Sequence, residues 1–200
     1  TTTHWTSICC FTPRPLRRRT GSLSIPTFGP FYYAPPPSRP ETLVSRFIDR
    51  SIRPLFAEGY NDDTQITATV LSADPDASPD MCAFVGASAA LAISEIPFLG
   101  PIGAVRIGRI DGAFAINPTP EQLEKSDMEL IVAGSRGSIV MVEGGAKQVS
   151  EAEMLAALKH AHAEIQTIID AIEKLQKQLG KPKIVPQPAA LAVILLAAGA

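Results

Sequence analysis

From residue 41 the apolar positions Val44, Phe47, Ile48, Ile52 and Leu55 recur at helical spacing behind Pro40, which predicts an amphipathic helix over 41–53 that Pro54 disrupts. A polar loop, Asn61-Asp62-Asp63, follows, and residues 65–71 then alternate with β-branched side chains as a strand does. Pro79 opens a second helix, whose Gly86, Ala87, Ser88, Ala89 and Ala90 leave a small-residue surface able to lie close to a sheet. Strands are expected at 102–110 and 113–116, separated by Asp111-Gly112, the strongest hairpin signal in the chain. A second pair, 128–133 and 139–142, is joined by a turn through 134–137. Residues 150–179 read as one long helix or two shorter ones, with Ser150 and Glu153 spaced as a capping box and Gly180 and Pro182 as stop signals.

This order of helix, strand, helix, four strands and helix predicts an α+β domain with helices packed on a mixed sheet. With 46% hydrophobic and 19% charged residues, the chain has the apolar material for a core, which excludes global disorder and a collagen-like repeat. The longest apolar stretch, PAALAVILLAAGA at 188–200, falls short of the roughly 20 residues a bilayer span needs, and reads as the start of a helix.

Residues 1–40 break the pattern. They hold eight of the 18 prolines, the only tryptophan (Trp5) and neither a period of 2 nor of 3.6, so they are expected to be irregular and outside the fold. They also carry five arginines and no acid, whereas all 20 acidic side chains fall after residue 40. That composition is also found in organelle transit peptides, although a clear amphipathic helix is missing. The net charge of −2 indicates neither a basic stripe nor an acidic tail. Cys9, Cys10 and Cys82 form neither a disulfide framework nor a metal-ligand spacing, which makes a reducing compartment the default.

Few residues suggest chemistry on their own. Arg46, Arg50 and Arg53 stand at i, i+4 and i+7, one guanidinium per turn on one helix face, where their fork geometry suits phosphate oxygens. The plainer alternative is a solvated face partly neutralised by Asp49 and Glu41. Glu121 and Asp127 are chemically able to hold Mg²⁺, but equally read as part of an acidic loop with Glu124 and Glu129. His160 and His162, two apart on a helix, point away from each other and make poor joint ligands, and His4 lies in the irregular head. No nucleophile elbow, phosphate-cradling glycine loop or zinc spacing is present.

Longer runs say more. ETLVSRFIDRSIRPLFAEGY, ITATVLSAD, FVGASAALAISEIPFLGPIGAVRIGRIDGAFAINPT, DMELIVAG and VMVEGGAKQVSEAEMLAAL together closely resemble the first RNase PH-like core of the polynucleotide phosphorylase family, from about Glu41 to Gln187. The resemblance implies an RNase PH-like fold of the ribosomal protein S5 domain 2-like type. It implies a first core over 41–179 and the start of an all-helical linker over 180–200. It further implies part of a homotrimeric 3′-to-5′ exoribonuclease that degrades single-stranded RNA with inorganic phosphate, requires Mg²⁺ bound mainly outside this segment, and can join RNA degradosome components. Cytoplasm is the implied compartment, with a mitochondrial or chloroplast alternative kept by the Arg-rich head, and no membrane.

In that family the arginines matching Arg46, Arg50 and Arg53 lie toward the RNA path, and the one matching Arg53 is implicated in activity. Glu121 and Asp127 have roughly the spacing of the metal-holding carboxylates of catalytic cores, but first cores are generally without an active site, so the expected role here is vestigial or structural. Where the catalytic second core has a serine-rich phosphate-binding turn, this chain has Ser78-Pro79-Asp80-Met81, and an aspartate there repels phosphate. The family's opening strands and its Phe-Phe-Arg-Arg segment are replaced by the head, with Gly29-Pro30-Phe31-Tyr32-Tyr33-Ala34-Pro35 in the corresponding place. Missing strands would leave an exposed sheet edge and poor solubility. Two other readings stand beside part-of-an-enzyme: a non-catalytic RNA-binding or assembly fragment, and a free-standing exonuclease using Glu121 and Asp127.

Overall fold

The computed structural model describes residues 8–11, 14–16, 39–60, 63–72 and 78–186. Two short strands of the head, β1 (Ile8–Phe11) and β2 (Arg14–Leu16), run antiparallel to a pair later in the chain, β3 (Asp63–Gln65) and β4 (Ala68–Ser72). Phe11 lies opposite Ala68 and Arg14 opposite Gln65, in two separate two-stranded pairings, β1 with β4 and β2 with β3. This corrects the expectation of a wholly irregular head. Edge pairing requires only backbone N–H and C=O groups, so these strands form without any side-chain period in the head itself. Residues 17–38 lie outside the described residues, as do 187–200. The strand expected at 65–71 is split, with Ile66 and Thr67 separating β3 from β4.

Helix α1 (Arg39–Ile52) passes into a single 3-10 turn, Arg53–Leu55, in which Pro54 lacks the N–H that another α-helical turn would use. Ile48 and Ile52 are buried, and the hydroxyl of buried Ser51 donates to Phe47 O at 2.9 Å, so α1 turns a satisfied face to the core. Helix α2 (Pro79–Ile93) carries the expected small-residue surface: Ala87, Ser88, Ala90 and Ala92 are all buried, and Ser88 Oγ accepts the Ile102 amide at 2.9 Å.

The four-stranded sheet has the order β6-β5-β7-β8, built from β5 (Gly103–Ile110), β6 (Ala113–Ile116), β7 (Met128–Gly134) and β8 (Ile139–Ala146). It is antiparallel throughout, which corrects the expectation of a mixed sheet. The β5–β6 and β7–β8 connections are hairpins, which pair antiparallel, while helix α3 (Pro120–Lys125) links β6 to β7, two strands that lie on either side of β5 and do not pair with each other. At the β5–β6 turn, Asp111 (φ 49°) and Gly112 (φ 81°) both adopt the left-handed conformation that a type I′ hairpin demands.

Helix α4 (Glu151–Leu179) is one continuous helix, started by the Ser150/Glu153 capping box. Alternation along β5 and β7 divides the core between two faces of the sheet. Ala104 and Ala133 join Ile48, Ile52, Phe84 and Leu91 of α1 and α2, whereas Val105, Ile107, Leu130 and Val132 meet Ala157, Ala161, Ile165 and Ile169 of α4. Burying each large aliphatic or aromatic side chain contributes about 1.5–3 kcal/mol before the entropy cost of folding. Among the described residues no helix is long and apolar enough to cross a membrane.

Candidate nucleic-acid interface

The burial of Ile48 and Ile52 decides where the arginines go. With that side of α1 against α2 and β8, the opposite side faces solvent and carries Arg46 and Arg50, with Arg53 exposed at the start of the 3-10 turn that follows. The Arg50 and Arg53 side chains are 67% and 75% exposed. Arg53 Nη2 donates to both carboxylate oxygens of Asp49 at 2.7 Å, one turn back. That hydrogen bond, with the charge of Asp49, holds the Arg53 pKa above its usual value. Only one of the guanidinium nitrogens is engaged, leaving the rest of the fork for an outside acceptor. Arg50 Nη1 stands 3.4 Å from Glu143 Oε2 of β8, and Arg46 has no carboxylate partner among the described residues. The face is thus a row of three exposed guanidiniums, two of them steadied by acids.

Glu121 and Asp127 do not form a comparable site. Glu121 is exposed in the first turn of α3, whereas Asp127, just before β7, gives both its oxygens to Arg109 of β5. Arg109 also bonds Glu153 in the first turn of α4. The Arg109 hydrogen bond keeps the Asp127 carboxyl below its usual range, and Ser150 first, then Arg109, does the same for Glu153. These carboxylates fasten β5, β7 and α4 together. Among the described residues no group of three or more His, Cys, Asp or Glu side chains could hold a metal ion, and the residues present do not fit a Mg²⁺ site.

Asp80 has a partner that its sequence context did not suggest. Its Oδ2 accepts from Arg106 Nη2 at 2.6 Å, and Arg106, only 15% exposed, also approaches Glu129 at 3.3 Å. The negative charge expected to repel phosphate at the start of α2 is therefore compensated within the chain. His160 stacks on Phe114 at 5.9 Å, and His162 Nε2 lies 3.3 Å from Ser135 O, so the two histidines serve different contacts. Arg106 and Arg109 went unnoticed in the sequence because their partners lie 26 and 18 residues away, beyond any local period.

Comparison with known proteins gives this geometry a family. Two family models match in succession: the 3′ exoribonuclease family, domain 1, over residues 17–97, and domain 2 of the same family over residues 100–164. The chain belongs to the 3′ exoribonuclease family. Polyribonucleotide nucleotidyltransferase of Geobacter sulfurreducens is 58% identical over 147 residues, 74% of this chain and 21% of that protein. The enzyme of the same name from Finegoldia magna is 55% identical over the same shares, and that of Pelobacter propionicus is 54% identical over 76% of this chain and 22% of its own. The chain therefore spans about a fifth of the length of these relatives. Rice (Oryza sativa) Rrp46 superposes with a TM-score of 0.65 over 85% of this chain and 84% of its own, at 15% identity, which shows the shared RNase PH-like fold. The domain 1 match begins at residue 17, inside the head and just past β2.

Proposed function

We propose that this chain is part of a 3′-to-5′ phosphorolytic exoribonuclease, to which it contributes contacts to single-stranded RNA through Arg46, Arg50 and Arg53 and a surface for assembly into a homotrimer. The observation that carries the reading is the exposed arginine row on a chain 58% identical to a polyribonucleotide nucleotidyltransferase. In the proposed reaction an oxygen of inorganic phosphate bonds to the phosphorus of the last phosphodiester. The 3′ oxygen of the preceding nucleotide leaves, and a nucleoside diphosphate is released. Two anions must approach each other, and fixed guanidiniums offset their repulsion. Mg²⁺ would be held outside this segment. Residues 41–179 are proposed as the first core and 180–200 as the start of the linker. Cytoplasm is the proposed compartment, and degradosome components are proposed partners of the whole enzyme.

A second reading, a non-catalytic RNA-binding or assembly piece, describes the isolated chain better. It is favoured by the commitment of Asp127 to Arg109 and of Asp80 to Arg106. The test is phosphate-dependent release of nucleoside diphosphate from a 3′-ended RNA by the 200-residue chain, with Mg²⁺ present and RNA binding recorded on the same sample. Binding without release is the expected result. Release abolished by Asp127→Ala would instead place an active site in this core, and absence of binding would remove the arginine face from the RNA path.

A further inference from the structure

The C-terminal end of α2 carries backbone carbonyls that its own helix cannot satisfy. Five in succession accept hydrogen bonds from a segment some ninety residues later. Lys183 Nζ donates to Leu91 O at 2.8 Å, Ala92 O at 2.9 Å and Ser94 O at 2.8 Å. The Lys181 amide reaches Ile93 O at 3.0 Å and the Ile184 amide Glu95 O at 2.8 Å. Between them Pro182, with no N–H to place, carries the chain across. An ammonium has three protons, and here each has its own carbonyl, at the helix end where the macrodipole favours a cation.

We propose that residues 181–184 form a latch that holds the chain leaving α4 against the end of α2, with Lys183 as its pin. The neighbours of the pin explain why it matters. Val185 is 83% exposed and Ile184 42% exposed, so the strap buries little apolar surface and depends on polar bonds for its seat. When the latch is shut, Pro186 lies beside Gly59, on the loop that follows Arg53 and the 3-10 turn. The shut latch therefore holds the chain as far as Pro186 against the loop that carries Gly59, and an open latch releases residues 181–186 while the sheet stays folded. The inference does not rest on the RNA-degrading reading, since it concerns only how the chain leaves the core.

NMR-detected hydrogen exchange on the full chain tests it, using the wild type, Lys183→Met, which keeps the length of the stem without its donors, and Lys183→Arg. In Lys183→Met the Lys181 and Ile184 amides should exchange roughly tenfold faster or more, the scale set by loss of charged hydrogen bonds. The amides of β5 and β7 should keep wild-type rates, and Lys183→Arg should restore part of the protection. Unchanged exchange at Lys181 and Ile184 would overturn the latch. So would acceleration spread equally over β5 and β7, which would make Lys183 a general stabiliser of the domain.

Discussion

Arg106 Nη2 lies 2.6 Å from Asp80 Oδ2 and joins β5 to the first turn of α2 across 26 residues of sequence. Both side chains are mostly buried, 15% and 22% exposed, and Arg106 Nε has no partner among the described residues. Asp80→Ala should therefore lower stability by about 1–3 kcal/mol, because it leaves a largely buried guanidinium short of its counter-charge. Replacing both, with Asp80→Ala and Arg106→Leu, should recover much of that loss. Thermal melts of the two single variants and the double variant check the coupling, and strict additivity would remove it.

The Arg109, Asp127 and Glu153 cluster makes stability fall in acid. Asp127 and Glu153 titrate below their ordinary values of 3.8 and 4.5 in the folded chain. In that range the unfolded chain binds more protons than the folded one, so this contribution is complete above the ordinary values and is lost as pH falls through the lowered ones. Urea midpoints at successively lower pH should show the decline, and Asp127→Asn should flatten it. An equally steep decline in that variant would place the acid sensitivity elsewhere.

The arginine row predicts a specific salt response. If Arg50 and Arg53 each contact one phosphate of single-stranded RNA, replacing both with Ala should weaken binding and reduce the slope of log affinity against log salt by about 1.4. The melting temperature should stay close to that of the wild type, since the pairs with Glu143 and Asp49 are exposed. A lower affinity with an unchanged slope would show that the arginines do not meet phosphates.

Gly144 is fixed by the backbone opposite. Its φ is +155°, and a Cβ placed there would stand 2.0 Å from Glu129 O on β7. Gly144→Ala should cost about 1–3 kcal/mol and loosen the β7–β8 pairing, whereas Gly145→Ala, with open space around its Cβ position, should be nearly neutral. Denaturant melts with exchange rates along β8 separate the two.

Much of this fold is legible in the chain because its determinants are local. The periodic apolar residues of α1, the Pro79 start of α2, the Asp111-Gly112 turn and the Ser150/Glu153 box all act within a few residues of themselves, and each element stands where its signal is. A weaker local signal lies in Thr119 and Gln122, whose capping box starts α3 where the run of acidic residues suggests a loop. Strand β8 runs on to Ala146, past the expected end at Val142, because pairing with β7 carries Gly144 and Gly145 into a strand that their own propensity disfavours.

The sequence by itself determined most of the elements, the family resemblance and the arginine row, since helical spacing alone puts Arg46, Arg50 and Arg53 on one side. Only the tertiary structure decided what the remaining charges do. Asp127 belongs to Arg109, Asp80 to Arg106 and Lys183 to the end of α2, because a desolvated charge takes the partner that folding brings within hydrogen-bonding distance, however far away it lies along the chain.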